Sequence, residues 1–191
     1  MGYLTVSSPV GELTVFEEDG AIVALEWGRA GESPRANKER AVPPIGGQKR
    51  GSQKPSMLLN RAARQLDEYF EGQRKTFDLP LKPAGTPFQR KVWARLAAIP
   101  CGATLTYGAL AKKLGSGARA VGGACGANPI PILIPCHRVL GARGRIPARF
   151  KGCAPIWARG GLGGYSGEGG VATKQFLLAH EDAPGAKAPK T

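Results

Sequence analysis

Acidic residues are missing from the middle of this 191-residue chain: between Asp78 and Glu168 there is none. Residues 1–90 carry 13 Lys/Arg against 11 Asp/Glu, a net +2, whereas residues 91–191 carry 14 against 3, a net +11. Solvated surfaces ordinarily mix signs, so a half with almost one sign points to a polyanion partner, nucleic acid first among them. Histidine is scarce as well. Only His137 and His180 occur, and residues 1–100 hold neither Cys nor His. Zinc centres need clustered Cys and His at short spacing, so no metal site is expected. The four cysteines (Cys101, Cys125, Cys136, Cys153) form no CxxC pair, which favours free thiols in a reducing compartment over disulfides. No apolar run is long enough to cross a bilayer and no signal segment is recognisable. A protein of the cytoplasm, or of the nucleus in a eukaryote, with no membrane partner is expected.

What is present falls into two parts. Residues 3–28 alternate apolar and polar around turn signals at Pro9-Val10-Gly11 and Asp19-Gly20, which predicts a three-stranded meander. Residues 28–55 are polar, rich in Gly and Pro and without period, hence a long loop. Ser56 is a cap for a helix with Leu58, Ala62, Leu66, Tyr69 and Phe70 on one face, stopping at Gly72. "FDLPLKPAG" reads as a connector between two domains. Thr86-Pro87 is a cap followed by a first-turn proline, with Phe88, Val92, Trp93 and Leu96 as the buried stripe. Thr106 caps a short helix, Gly115-Ser116-Gly117 turns the chain, and "ARAVGGACGA" makes a second helix ending at Asn128-Pro129. Two short helices about a Gly-containing turn form a helix-turn-helix candidate. A last helix spans roughly Gly170 to His180. The boundaries expected are 1–82, 83–182 and a flexible tail, 183–191.

One stretch carries chemistry. "ILIPCHRVLG", residues 132–141, sets a thiol, an imidazole and a guanidinium inside an apolar run. A buried thiol behaves as a small hydrophobe, but His137 and Arg138 need partners or water. With a metal corner set aside by the scarcity of Cys and His, two readings are open from the residues: a hydrolase nucleophile or a core thiol. Adjacent residues of an extended segment face opposite ways, so His137 serves Cys136 only across a turn or through a water.

"NPIPILIPCHRVLG" resembles the active-site signature of the methylated-DNA–protein-cysteine methyltransferases, the 6-O-alkylguanine-DNA alkyltransferases. The resemblance continues through "QLDEYFEGQRKTFDLPL", "GTPFQRKVWARLAAIPCG", "TYGALAKKLGSGARAVGGACGANP" and "GGYSGEGGVATKQFLLAHE". It implies an α+β fold: an N-terminal domain with a small antiparallel β-sheet of ribonuclease H-like kind, then a helical domain with a helix-turn-helix and the acceptor cysteine. It implies transfer of an alkyl group from 6-O-alkylguanine, and from 4-O-methylthymine, to Cys136, with no cofactor. His137 would be the base acting through water, Glu181 the acid that orients it, Tyr107 the proton source for the leaving guanine, and Asn128 the brace of the loop. Val139, Tyr165 and Ser166 would line the base pocket. Arg119 would fill the gap left by a flipped nucleotide, with Ala118, Ala120 and Gly123 giving a slim face to the minor groove. Lys112, Lys113 and Arg90 would meet phosphates. The partner implied is double-stranded DNA, bound by a monomer.

The chain departs from that pattern in two places. Cys136 and Tyr165 are 29 positions apart, and "RIPARFKGCAPIWARG" (145–160) looks like an insert; it is basic and carries Trp157 and Cys153. Ala103 stands where the family commonly has an acid. The rival expectations are a non-catalytic alkyltransferase-like damage-binding protein, a transcription factor using the helix-turn-helix alone, and a variant inactivated by the insert.

Overall fold

The computed structural model describes residues 1–29, 55–141, 164, 165, 167 and 169–182. Strands β1 (Gly2–Ser8), β2 (Gly11–Glu18) and β3 (Ala21–Trp27) form the expected antiparallel meander in the order β1-β2-β3. The second turn forms because Asp19 (φ 49°) and Gly20 (φ 73°) both take left-handed backbone, the requirement of a tight two-residue hairpin. Leu13, Val15, Ile22, Leu25 and Trp27 turn inward and are buried.

Helix α1 (Met57–Phe70) begins where Ser56 accepts a hydrogen bond from the Leu59 amide at 3.0 Å. It covers the sheet with Leu59, Ala62, Leu66 and Tyr69. The connector after it is tied down rather than free. Ile22 N donates to Pro80 O at 2.8 Å and Lys82 N to Ile22 O at 2.9 Å, so the connector lies along β3.

Helix α2 (Pro87–Ala97) opens on a complete capping box between Thr86 and Gln89. Its Trp93 lies so close to Gly85 that a Cβ there would come within 2.4 Å of the indole. The Trp93 Nε1–H donates to Ala124 O at 2.8 Å, which fixes α2 to the helix-turn-helix. That motif is α3 (Tyr107–Lys113), capped by Thr106, and α4 (Ala118–Gly126), with Gly115 (φ 61°) in the turn. Strand β4 (Leu105–Thr106) pairs in parallel with β5 (Val139–Leu140), and a 3₁₀ turn over Cys136–Arg138 leads into β5. The last helix, α5, runs Val171–Asp182, two residues beyond the expected end, so Glu181 lies within it. Among the described residues no helix is long and apolar enough to cross a membrane.

Most of the long loop 28–55, the insert 145–160 and the tail 183–191 lie outside the described residues, as does Ser166.

Candidate active site

Every residue from Ile130 to Leu140 is buried. Asn128, itself buried, shapes this segment from one end. Its Oδ1 accepts from Ile130 N at 3.1 Å and its Nδ2 donates to Ile134 O at 2.8 Å. Between them Ile132 adopts φ 70°, left-handed backbone that a β-branched residue takes only under constraint. The strap delivers Cys136 and His137 on a 3₁₀ turn, whose curvature removes the opposite-face geometry of an extended strand.

His137 is wholly enclosed, and its Nε2 stands 2.8 Å from Glu181 Oε1. Burial alone would raise the Glu181 pKa. The bonds and charges of His137 and Arg138 outweigh that and hold the carboxyl well below the usual carboxylate range. An ionised carboxylate only accepts, so Nε2 carries the proton and Nδ1 of the neutral ring carries the lone pair. Nδ1 is buried and has no hydrogen-bond partner among the described residues. The His137 pKa is pushed down, chiefly by burial, with Arg138 and Lys174 adding to it against the pull of Glu181. At neutral pH the ring is therefore an uncharged base.

Glu181 gathers further donors. Arg138 grips both oxygens, Nε to Oε2 at 2.9 Å and Nη2 to Oε1 at 2.8 Å, and its Nη1 donates to Ile99 O. The Tyr69 hydroxyl donates to Oε1 at 2.9 Å, and Gly102 N reaches Oε2 at 3.4 Å. Arg138 answers the question its sequence position raised: its partner is a carboxylate 43 residues away.

On the other side of Cys136 a pocket of about 390 Å³ opens, bounded by Tyr107, Gly122, Cys125, Gly126, Gly164 and Tyr165. Two thiols thus face one space. Burial, then the neighbouring Cys136, pushes the Cys125 pKa up to about 12, so Cys125 stays a thiol at neutral pH. Burial likewise raises Tyr107 to about 12, with Cys125 and Cys136 adding, and keeps its phenol a proton donor. The Tyr165 hydroxyl is buried without a partner among the described residues, and its ring meets Trp27 of β3 edge-on at 6.0 Å. Gly167 permits that contact, since a Cβ there would lie 2.5 Å from the Tyr165 ring and 2.8 Å from the Trp27 ring.

Lys174 was not singled out from the sequence. Its side chain is fully buried on α5, with Nζ donating to Val139 O at 2.6 Å and lying 5.8 Å from the Tyr107 ring centroid. It meets no carboxylate among the described residues. Burial lowers its pKa to about 8, against the pull that Cys136 and Cys125 would exert if ionised. A cation buried beside thiols favours their thiolate forms. The signal was present in helical spacing: Lys174, Leu177, Leu178 and Glu181 share one face and all are buried.

The structure brings together Cys136, His137, Glu181, Asn128, Tyr107, Val139 and Tyr165. Arg119, Ala118, Ala120 and Gly123 lie exposed on α4, with Lys112, Lys113 and Arg90 exposed on α3 and α2. Among the described residues no cluster could hold a metal ion.

The family model described as 6-O-methylguanine DNA methyltransferase, ribonuclease-like domain, matches residues 1–83, and that described as its DNA binding domain matches 87–155. The constitutive methylated-DNA–protein-cysteine methyltransferase of Bacillus subtilis is 40% identical over 146 residues, covering 73% of this chain and 80% of that protein. The methylated-DNA–protein-cysteine methyltransferase of Shigella flexneri is 37% identical over 180 residues, 92% of each. The crystal structure of Mycobacterium tuberculosis OGT in complex with DNA superposes with a TM-score of 0.68 at 35% identity, covering 98% of this chain and 94% of that one.

Proposed function

The chain belongs to the 6-O-methylguanine DNA methyltransferase family, and from that premise we propose the residues through which it repairs alkylated DNA. The protein transfers an alkyl group from the damaged base to a cysteine of its own. That cysteine is Cys136. Neutral His137 takes the thiol proton on Nδ1 through an intervening water, and Glu181 stabilises the imidazolium that forms. The thiolate attacks the alkyl carbon, the carbon–oxygen bond breaks, and its electron pair leaves with the guanine. The Tyr107 hydroxyl supplies the proton that the leaving base needs. The product is a thioether, a poor leaving group, so each molecule reacts once and no cofactor takes part. The single observation that carries this reading is the buried Glu181–His137 pair, next in sequence to Cys136, with Nδ1 unbonded among the described residues.

The lesion is 6-O-alkylguanine, and 4-O-methylthymine by the same chemistry. The 390 Å³ pocket, lined by Tyr107, Cys125, Cys136 and Tyr165, supports an extruded base as the species bound, and Val139 and Ser166 are the further base contacts of this reading. The exposed α4 face, slim at Ala118, Ala120 and Gly123, supports docking in the minor groove with Arg119 filling the gap in the stack. Arg90, Lys112 and Lys113 supply phosphate contacts. The two matched segments, 1–83 and 87–155, support two domains with a boundary close to the proposed 82/83, and a monomer acting in the cytoplasm completes the reading.

The test is incubation with duplex DNA carrying 6-O-methylguanine, followed by peptide mass analysis. One methylene equivalent per molecule should appear on the peptide holding Cys136 and vanish in Cys136→Ala. Alkylation of Cys125 instead, or repeated turnover, would overturn the assignment.

A further inference from the structure

We infer that Tyr69 is a positioning residue for alkyl transfer: its hydroxyl sets the orientation and charge density of the Glu181 carboxylate that holds His137. The residue sits at the end of α1, within the segment matched by the ribonuclease-like domain, 112 positions from its partner. A part of the fold that carries neither the acceptor thiol nor the DNA-binding helices therefore places a group on the catalytic carboxylate.

The geometry is specific. The hydroxyl donates to Oε1, the same oxygen that accepts His137 Nε2–H, while Oε2 is held by Arg138 Nε and Gly102 N. Tyr69 is 1% exposed, so the bond is made away from bulk solvent. The tyrosine is itself locked in place. His180 Nε2 donates to its carbonyl at 2.6 Å, the His180 ring meets the Tyr69 ring edge-on at 5.1 Å, and Phe176 stacks parallel to the His180 ring at 6.0 Å. Burial and the adjacent Glu181 charge both raise the phenol pKa, so it remains a donor at any pH the protein meets.

The physical effect has a definite sign. A third donor on Oε1 draws negative charge away from the His137 contact and makes the imidazolium less favourable. Other charges on His137 come from Arg138 and Lys174, and those on Tyr69 from Arg138 and Cys101, with Arg74 and Lys75 bordering the small cavity beside them. Of these, Arg138 bonds Oε1 through Nη2 at 2.8 Å, a donor that changes at Tyr69 leave in place. Removing the hydroxyl raises the His137 pKa and loosens the carboxylate.

The inference rests on His137 being the base, and the experiment separates the two. Single-turnover alkyl transfer to the full chain is followed on 6-O-methylguanine duplex across pH, for wild type, Tyr69→Phe and Tyr69→3-fluorotyrosine, whose hydroxyl is a stronger donor in nearly the same shape. Tyr69→Phe should move the acid limb of the rate up by about half a pH unit and lower the plateau about 3- to 10-fold, less than the 10²–10⁴ a general base contributes. The fluorinated variant should move the limb the other way. Leu66→Ala, a packing change on the same helix, should lower the melting temperature and leave the midpoint in place. A wild-type limb unmoved in both Tyr69 variants overturns this inference alone. A wild-type rate with no acid limb overturns the reading of His137 as base and this inference with it.

Discussion

Arg61 with Asp78, Arg64 and Arg74 with Glu68, and Lys82 with Asp19 pair at the surface of the first 83 residues. From residue 87 onward the described ion pairs all meet on one carboxylate, Glu181, whose side chain is 1% exposed. The same interaction type serves two ends. Exposed pairs are screened and contribute about 0–1 kcal/mol each; they go with a first region close to charge balance. In the second region Glu181 is the one acid whose surroundings are described, and Arg90, Lys112, Lys113 and Arg119 meet no carboxylate among the described residues. Their field is available to a polyanion, and the described acid is buried against His137 and Arg138. Where a charge is withheld matters as much as where it is placed.

Three substitutions probe that contrast. Glu181→Gln should have the largest effect, because it leaves Arg138 buried without its counterion and His137 without an anionic partner. We expect a stability loss of about 3–5 kcal/mol by denaturant unfolding, and a fall in alkyl transfer of at least about 100-fold. A variant as stable as the parent would remove the distinction between the regions.

Lys174→Met comes next, and its signature is a pH dependence. The folded pKa of Lys174, about 8, lies below its unfolded value near 10.5, so folding disfavours its proton. Its burial cost is full below pH 8 and disappears as pH rises toward 10.5. The difference in stability between Lys174→Met and wild type should therefore shrink across that window, by a few kcal/mol at most. The variant should also transfer alkyl groups more slowly at neutral pH, since the Cys136 thiolate loses a neighbouring cation. A difference flat in pH would show that Lys174 is not a buried ammonium.

Arg64→Ala sits at the small end. It removes an exposed i,i+4 pair and should cost about 0.3–0.5 kcal/mol in thermal unfolding, with alkyl transfer unchanged. A tenfold loss of activity would mean that surface charge in the first region reaches the site.

Local features were the readable ones. Ser56, Thr86 and Thr106 each cap the helix expected of them, because capping involves residues within three positions of one another. The meander and its Asp19-Gly20 turn were legible for the same reason. Cys136 and His137 stood out through their company, but the role of Glu181, 44 positions from His137, came from family resemblance and not from spacing. Tyr69 and Lys174 escaped. A tyrosine on the apolar face of an amphipathic helix looks like core, and a lysine is ordinarily solvated; only the packing of α1 and α5 shows that both polar ends point inward. The connector 77–85 was misleading in the opposite way, since its composition conceals the backbone bonds it makes to β3.

The strap formed by Asn128 and Ile132 carries one more consequence. An enzyme that cycles must let its site relax after every round, and such opening often limits its throughput. Here the transferred group never departs, so the wall that presents the thiol has no second round to prepare for. Stiffness that would slow a recurrent catalyst costs this protein nothing. A bulky residue held in left-handed backbone, unattractive in a hinge, is tolerable in a part that fires once.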